Sequence, residues 1–130
     1  MSEQQSSPVR VTLVTGTASG IGAAIMLAMC DARHQVLAVD FSDEGAEVAD
    51  KAGAAFFKAD LTDAEQCRAA VEEAVSRFGR LDILVNNAGM SIYKPIADFT
   101  DDDFANLMQA NLTGSFNLMR EAARHLRDGG

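Results

Sequence analysis

Eight residues near the start of the chain have the composition of a loop that binds phosphate groups. The sequence TGTASGIG (Thr15–Gly22) holds three glycines and three hydroxyl residues, directly after the apolar run VRVTLV. Gly16 permits a tight turn, Gly20 lets backbone approach a bulky ligand, and Gly22 lets a helix pack close to a sheet. A helix that starts near Gly20 offers free N–H groups and a positive dipole end. The segment indicates a pyrophosphate site, and without a lysine it is not a P-loop.

A carboxylate lies where the sugar of such a ligand would follow. Asp40 ends the apolar run QVLAVD (Gln35–Asp40), the second predicted strand. A carboxylate at this place accepts hydrogen bonds from a ribose diol and repels a 2′-phosphate. Neither Ser19 nor Phe41 supplies a cation that would bind that phosphate. The pattern therefore predicts NAD as the cofactor in preference to NADP; the alternative interpretation of Asp40 is a solvated strand end.

Strands and helices alternate along the whole chain, which predicts an α/β fold. Apolar runs of strand length are centred on four segments: Val9–Thr15, Gln35–Asp40, Ala54–Asp60 and Leu81–Asn86. Helical periodicity follows each of them: Ile21–Ala32, a short helix after Ser42 as its cap, a helix begun by a capping box of Thr62 and Glu65, and a long helix from TDDD to about Arg127. This order predicts right-handed βαβ units in a doubly wound parallel sheet, as one domain.

Polar residues end the predicted strands. Asp40, Asp60 and Asn86 each follow an apolar run, at the edge of the sheet where ligands bind in this architecture. Gly45 and Gly53 fall outside that edge, and we interpret them as an ordinary helix glycine and turn glycine. The strand ends and the glycine loop therefore predict one shared binding cleft.

Four segments in this order resemble the short-chain dehydrogenase/reductase family: TGTASGIG, KADLTD, LVNNAG (Leu84–Gly89) and MQANLTGSF (Met108–Phe116). The resemblance covers the chain from about Val9 onward and implies a Rossmann-like sheet with strand order 3-2-1-4. It implies Asn111 as the catalytic asparagine, which supports a proton-relay water. It also implies cofactor contacts at Gly16, Thr17, Ser19, Gly20, Ile21, Gly22, Asp40, Phe41, Asp60, Leu61, Asn87, Ala88 and Gly89.

Asn111 is also unusual on physical grounds. It falls on the predicted apolar stripe of the long helix, which comprises Phe104, Leu107, Met108, Leu112, Phe116, Met119 and Leu126. A polar side chain there needs a hydrogen-bond partner, and asparagine is a poor residue for a helix interior. The alternative is a structural asparagine with a satisfied side chain.

Three elements of the family pattern are not found in the 130 residues. The family continues with a fifth strand, a catalytic serine and a Tyr-x-x-x-Lys pair, whereas the single tyrosine here, Tyr93, is followed directly by Lys94. The polar N-terminus predicts a disordered tail at 1–8, and the resemblance predicts a dinucleotide-binding Rossmann domain at 9–130, truncated before the fifth strand and inactive alone. The apolar helix 101–127 would then lack its usual neighbour, which predicts a homo-oligomer through this helix.

Composition excludes several classes of function. The net charge of −8 argues against nucleic acid and anionic membrane surfaces as partners. No apolar run approaches the roughly 20 residues of a membrane span, and the polar N-terminus is not a secretory signal. Cys30, Cys67, His34 and His125 form no metal-ligand spacing. We therefore expect a cytoplasmic protein with no metal.

Three functions are compatible with these patterns. The first is an NAD-dependent oxidoreductase that moves a hydride between a secondary alcohol or ketone and nicotinamide, with a small-molecule substrate that the sequence does not identify. The second is a non-catalytic dinucleotide-binding module or sensor. The third is a methyltransferase, which also uses a glycine loop and an acid after the second strand, but the NNAG and ANLTGSF segments argue against it.

Overall fold

Four parallel strands form one sheet whose order is the predicted 3-2-1-4. A computed structural model of the chain describes residues 8–126, so most of the predicted tail at 1–8 lies outside the described residues. The strands are β1 (Val11–Thr15), β2 (Gln35–Asp40), β3 (Ala55–Lys58) and β4 (Ile83–Val85), and their order is β3-β2-β1-β4. In the central pair, Val11 is in register with Gln35 and Thr15 with Val39. The prediction of a doubly wound parallel sheet is confirmed.

The helices cover both faces of this sheet. They are α1 (Gly20–Asp31), α2 (Glu44–Ala52), α3 (Ala64–Phe78), α4 (Asp101–Met108) and α5 (Gly114–Ala122), with a 3₁₀ turn at Ile96–Asp98. Leu13 points to the face of the sheet that packs on α3 and α5, and its neighbour Val14 points to the face that packs on α1 and α2. This alternation buries both faces of β1, which explains its continuous apolar run. In the described part of the chain, no helix has the length and apolar character needed to span a membrane.

The predicted capping box of α3 is wrong by one residue. Asp63 is the N-cap, and its carboxylate accepts a hydrogen bond of 2.9 Å from the Glu65 N–H. Thr62 precedes the N-cap, and its N–H and hydroxyl both donate to Asp60 Oδ1. The cap of α2 differs too: the helix begins at Glu44, and Ser42 precedes its N-cap residue. Competing local hydrogen bonds of Asp and Ser side chains shift both starts.

The predicted long helix is two α-helices joined by a π-helical turn. Residues Gln109–Thr113 form this turn between α4 and α5, so the axis continues while the hydrogen-bond pattern changes. α5 ends at Ala122 rather than near Arg127, which lies outside the described residues. After three turn residues, Leu126 instead forms a parallel bridge with Leu81 at the start of the β4 segment. Leu126 therefore does not belong to the helix face to which the sequence pattern assigned it.

The buried face of α5 is not the predicted apolar stripe. α5 packs on α3 through Gly114, Leu118 and Ala122, which lie four residues apart. Leu118 and Ala122 belong to one buried cluster with Cys67, Ala70 and Ala74 on α3. Most of the predicted stripe is exposed instead: Phe104, Met108, Leu112, Phe116 and Met119. The apolar pattern of the sequence therefore does not identify the face of this helix that packs on α3.

Candidate functional site

A cleft of about 820 Å³ lies at the carboxyl ends of the strands. It is lined by the glycine loop after β1, the turn after β2, the segment after β3, the segment after β4 and Ala110 of the π turn. All of the predicted cofactor-binding residues line it except Thr17 and Gly22. The topology therefore brings together Asp40 and Asp60 at the cleft, whereas Asn86 does not line it and the segment after β4 contributes Asn87 instead.

The glycine loop is packed too tightly for side chains at two positions. Gly16 has φ +72°, and a Cβ there would lie 2.8 Å from Asn87 Nδ2. A Cβ on Gly22 would lie 1.9 Å from the carbonyl oxygen of Gly16. Both glycines thus allow α1 to start directly against the loop and against the segment after β4. Gly22 acts from below the cleft, where it is buried.

The N-terminus of α1 is left open toward the cleft. Its N-cap residue, Ser19, makes no side-chain capping hydrogen bond, and no acidic residue lies in the first turn. The N-termini of α3 and α4, by contrast, are capped by the side chains of Asp63 and Thr100 and carry acids in the first turn. Nothing within the described residues lies within 4 Å of a Cβ placed on Gly20. An uncapped helix start with open space before it fits an anion such as pyrophosphate.

Thr15 connects the glycine loop to the NNAG segment, a role that the sequence analysis missed. Its buried hydroxyl accepts hydrogen bonds from the N–H groups of Asn87 and Ala88, at 3.1 and 3.0 Å, and donates to the Val85 carbonyl at 3.3 Å. The Asn87 amide donates in return to the carbonyls of Thr15 and Gly16. The sequence signal for this role is the hydroxyl residue at the last position of β1.

Asp40 faces the cleft in a fixed orientation. Its Oδ2 accepts a hydrogen bond of 2.9 Å from the Ala18 N–H in the glycine loop, and its Oδ1 accepts one of 2.9 Å from the Ser42 N–H. Each carboxylate oxygen keeps a further lone pair. Two oxygens held in this way can accept two neighbouring hydroxyl donors without reorganisation.

The segment after β3 forms the next wall of the cleft. Asp60 Oδ1 accepts hydrogen bonds from the Thr62 N–H and hydroxyl, and the Thr62 carbonyl accepts one of 2.7 Å from the Gln109 amide. A Cβ on Gly114 would lie 2.6 Å from the Leu61 carbonyl oxygen. The π turn and the start of α5 therefore hold Asp60 and Leu61 in place from behind.

Asn111 contacts the segment after β4. Its Oδ1 accepts a hydrogen bond of 2.7 Å from the Met90 N–H, and its Nδ2 donates to the Met90 carbonyl at 2.9 Å. The partner that its polar side chain requires is thus the backbone directly after NNAG. Met90 and Ala110 line the cleft, whereas Asn111 is exposed and does not line it. Its relay role stays a prediction; in this structure its side chain positions the loop.

The pKa of the Cys67 thiol, next to the cleft wall at Leu61, is perturbed. Burial raises the pKa of the Cys67 thiol to about 11, and the thiol donates to the Leu61 carbonyl at 3.3 Å. Cys67 therefore stays a neutral core residue at physiological pH. Across residues 8–126, no group of three His, Cys, Asp or Glu side chains could hold a metal ion.

Comparisons with known proteins agree with this geometry. A family model for short chain dehydrogenases matches residues 10–130. The L-fucose dehydrogenase of Oryctolagus cuniculus is 40% identical over 121 residues, which cover 91% of this chain and 43% of that protein. The D-threitol dehydrogenase of Mycolicibacterium smegmatis is 35% identical over 127 residues, covering 93% and 49%.

Solved structures show the same similarity. A mutant of a Serratia marcescens short-chain dehydrogenase/reductase superposes with a TM-score of 0.88 at 38% identity, over 93% of this chain and 52% of that one. A dehydrogenase/reductase from Sinorhizobium meliloti 1021 gives a TM-score of 0.90 at 34% identity, over 93% and 51%. The chain spans about half the length of the curated relatives that it matches. Sheet order, glycine loop and sequence similarity agree, and the chain belongs to the short-chain dehydrogenase family of oxidoreductases.

Proposed function

We propose that the protein is an NAD-dependent oxidoreductase that transfers a hydride between a secondary alcohol or ketone and nicotinamide. Residues 9–130 act in it as one cofactor-binding domain. The observation that supports this most directly is the Asp40 carboxylate, which is held between the glycine loop and the turn after β2. A dinucleotide needs both an anion site and a diol acceptor, and here the two adjoin.

Each part of the cleft has a matching group on the cofactor. The open start of α1 would hold the pyrophosphate, and Asp40 would accept the hydrogen bonds of the adenosine ribose. Asp60 and Leu61 would flank the adenine. The segment Asn87–Gly89 would line the path toward the nicotinamide. These assignments use residues that already line one cleft.

The charges around the cleft support NAD over NADP. Asp40, Glu44 and Asp60 all line it, and none of the lining residues in the described part of the chain is Lys or Arg. A 2′-phosphate would bring about two negative charges next to Asp40 with no cation to pair with. The cost of that repulsion favours the cofactor without the phosphate.

NAD supplies the hydride acceptor when it is bound, and this chain supplies its orientation. The glycine loop and Asp40 fix the adenosine half, and Asn111 fixes Met90 beside the far end of the cleft. The acid/base tyrosine that the family resemblance predicts is not among these 130 residues. We therefore propose that they bind NAD and do not turn it over on their own.

The relatives support a reaction class and leave the substrate open. Those reported above are named as dehydrogenases of L-fucose and of D-threitol. Others, such as that of Emericella nidulans, are named as versicolorin reductases. Both directions of hydride transfer occur among similar proteins, so the proposal is limited to an alcohol or ketone.

The test is a comparison of NAD and NADP affinities by calorimetry. We expect NAD to bind at least about tenfold more tightly, and Asp40→Ser to narrow that ratio by one to two decades, each decade being about 1.4 kcal/mol. Asp50→Asn removes a carboxylate from the exposed side of α2 and serves as the charge-matched control, with an unchanged ratio. Equal affinities in the parent protein would contradict the assignment of Asp40.

A further inference from the structure

The start of α2 packs directly onto Asp40 through a position without a side chain. Gly45 lies in the first turn of this helix and is buried. A Cβ at this position would lie 2.6 Å from Phe56 Cε2, 3.0 Å from Phe56 Cζ and 3.2 Å from Asp40 Cβ. The contact with Phe56 is shorter than real Cβ atoms tolerate. The interpretation of Gly45 as an ordinary helix glycine is therefore wrong.

Gly45 is also linked to the Asp40 carboxylate by two successive hydrogen bonds. The Gly45 N–H donates to the Ser42 carbonyl at 3.1 Å, and the Ser42 N–H donates to Asp40 Oδ1 at 2.9 Å. The position of the Ser42 N–H thus depends on how closely the first turn of α2 approaches β2. That distance is set where Gly45 meets Asp40 and Phe56.

Phe56 is the residue that a side chain at position 45 would meet first. It lies on β3 in register with Ala38, and its half-buried ring packs on the core between the sheet and α1 and α2. A methyl group on residue 45 would have to displace this ring or lift α2 away from the sheet. Lifting α2 would carry the Ser42 N–H away from the carboxylate.

We propose that Gly45 is a positioning residue for Asp40, which fixes the carboxylate for recognition of the ribose 2′-hydroxyl. The proposal rests on the proposed function, because it concerns the same ribose contact. The proposal goes beyond that function because Gly45 is buried and lies outside both the family motifs and the cleft lining. It adds such a residue as a determinant of ribose recognition.

The experiment compares NAD with its analogue that lacks the 2′-hydroxyl on the adenosine ribose, by calorimetry. In the parent protein we expect about a tenfold preference for NAD, the usual effect of a hydrogen bond to a charged group. Gly45→Ala should reduce this preference to about twofold or less. Adding Phe56→Leu removes the two ring atoms nearest the new methyl group and should restore most of the preference.

Two further variants separate positioning from loss of stability. Ala49→Gly loosens α2 at a buried position one helical turn beyond Gly45 and should weaken the binding of both ligands equally, leaving the ratio unchanged. Phe56→Trp places a larger ring against an unchanged Gly45 and should lower the ratio of NAD affinity to analogue affinity. This variant tests the proposal even if Gly45→Ala does not fold.

The outcomes are distinguishable. A parent protein without preference for NAD over the analogue would overturn the ribose contact in the proposed function, and with it this inference. A preference that is present in the parent and unchanged in Gly45→Ala or in Phe56→Trp would overturn the inference alone. Loss of the preference with recovery in the double variant supports it.

Discussion

The side-chain oxygen of Thr15 lies 3.1 Å from the backbone nitrogen of Asn87, at the point where β1 and β4 end side by side. Two residues further along the loop, Thr17 is equally buried, yet its hydroxyl has no hydrogen-bond partner within residues 8–126. The two threonines therefore provide a matched pair in one short loop. They differ in the hydrogen bonds that their hydroxyls make.

Replacing each threonine by the nearly isosteric valine should give opposite results. Thr15→Val leaves the half-buried Ala88 N–H unpaired and removes one of the two acceptors of the Asn87 N–H, so it should lower the free energy of unfolding by at least about 1 kcal/mol. Thr17→Val removes a buried, unpaired hydroxyl and should leave stability unchanged or raise it by up to about 1 kcal/mol. Urea unfolding followed by circular dichroism measures both. Equal losses in the two variants would contradict the hydrogen-bond assignment.

Gly22 should not tolerate even a methyl group. Because its Cβ would lie 1.9 Å from the Gly16 carbonyl oxygen, Gly22→Ala should cost about 3 kcal/mol of stability or more and abolish dinucleotide binding. Gly20→Asn is the control for stability, since Gly20 has φ +58° with open space around it, and asparagine adopts this conformation for about 1 kcal/mol. Thermal unfolding of both variants checks the difference, and a stable Gly22→Ala protein would show that the loop can open.

The stability contributed by Asp103 should disappear in acid. The Lys94 ammonium first, and then the Thr100 N–H, lower the pKa of this carboxyl from 3.8 to about 2. Because the pKa of Asp103 is lower in the folded protein than in the unfolded chain, its ionised carboxylate stabilises the folded state at pH values above about 3.8. This stabilisation is lost as the pH falls toward about 2. The gap in unfolding free energy between the parent and Asp103→Asn should therefore be constant near neutrality and shrink below pH 3.8.

Asp102→Asn is the control for this titration, because it removes a neighbouring acid from the same first turn of α4. A parent-to-variant gap for Asp103→Asn that is independent of pH down to about 2 would mean that the ion pair with Lys94 contributes nothing in solution.

Self-association through helix 101–127 stays a prediction, and the exposed stripe makes it testable. Met119 belongs to that stripe and is 51% exposed, while Leu27 on α1 is 48% exposed and lies elsewhere. If two copies pair through the stripe, Met119→Glu should weaken the dimer in sedimentation equilibrium and Leu27→Glu should not. A parent protein that is monomeric at every concentration tested would contradict the prediction of self-association.

The sheet and the cleft could be predicted because they depend on local signals. Apolar runs that end in Asp40 or Asn86 identify buried parallel strands, and the glycine loop identifies the first crossover. The role that we propose for Gly45 could not be predicted in this way. It depends on contact between α2 and the ring of Phe56 on β3. Sequence spacing carries no information on that contact.

The prediction of one long helix was wrong for a related reason. Its residues from Asp101 onward favour a continuous helix, and no proline interrupts them before Ala122. The π turn coincides with side-chain contacts to two separate loops: Gln109 donates to Thr62, and Asn111 pairs with Met90. These partners lie far away along the chain, so local propensity describes the helix as uniform when it is not.

The π turn sets the rotational phase of the helix independently on its two sides. Each residue of an α-helix turns the chain by about 100°. Deleting one residue within Gln109–Thr113 would let ordinary α-helical hydrogen bonds continue, but it would swing either Asn111 or Leu118 about a quarter turn from its partner. The extra residue lets Asn111 point toward the loop after β4 while Leu118 points toward α3. One regular helix could not orient both side chains in this way. Changes in chain length should therefore be far less tolerated in these five residues than in the exposed turn after Ala122.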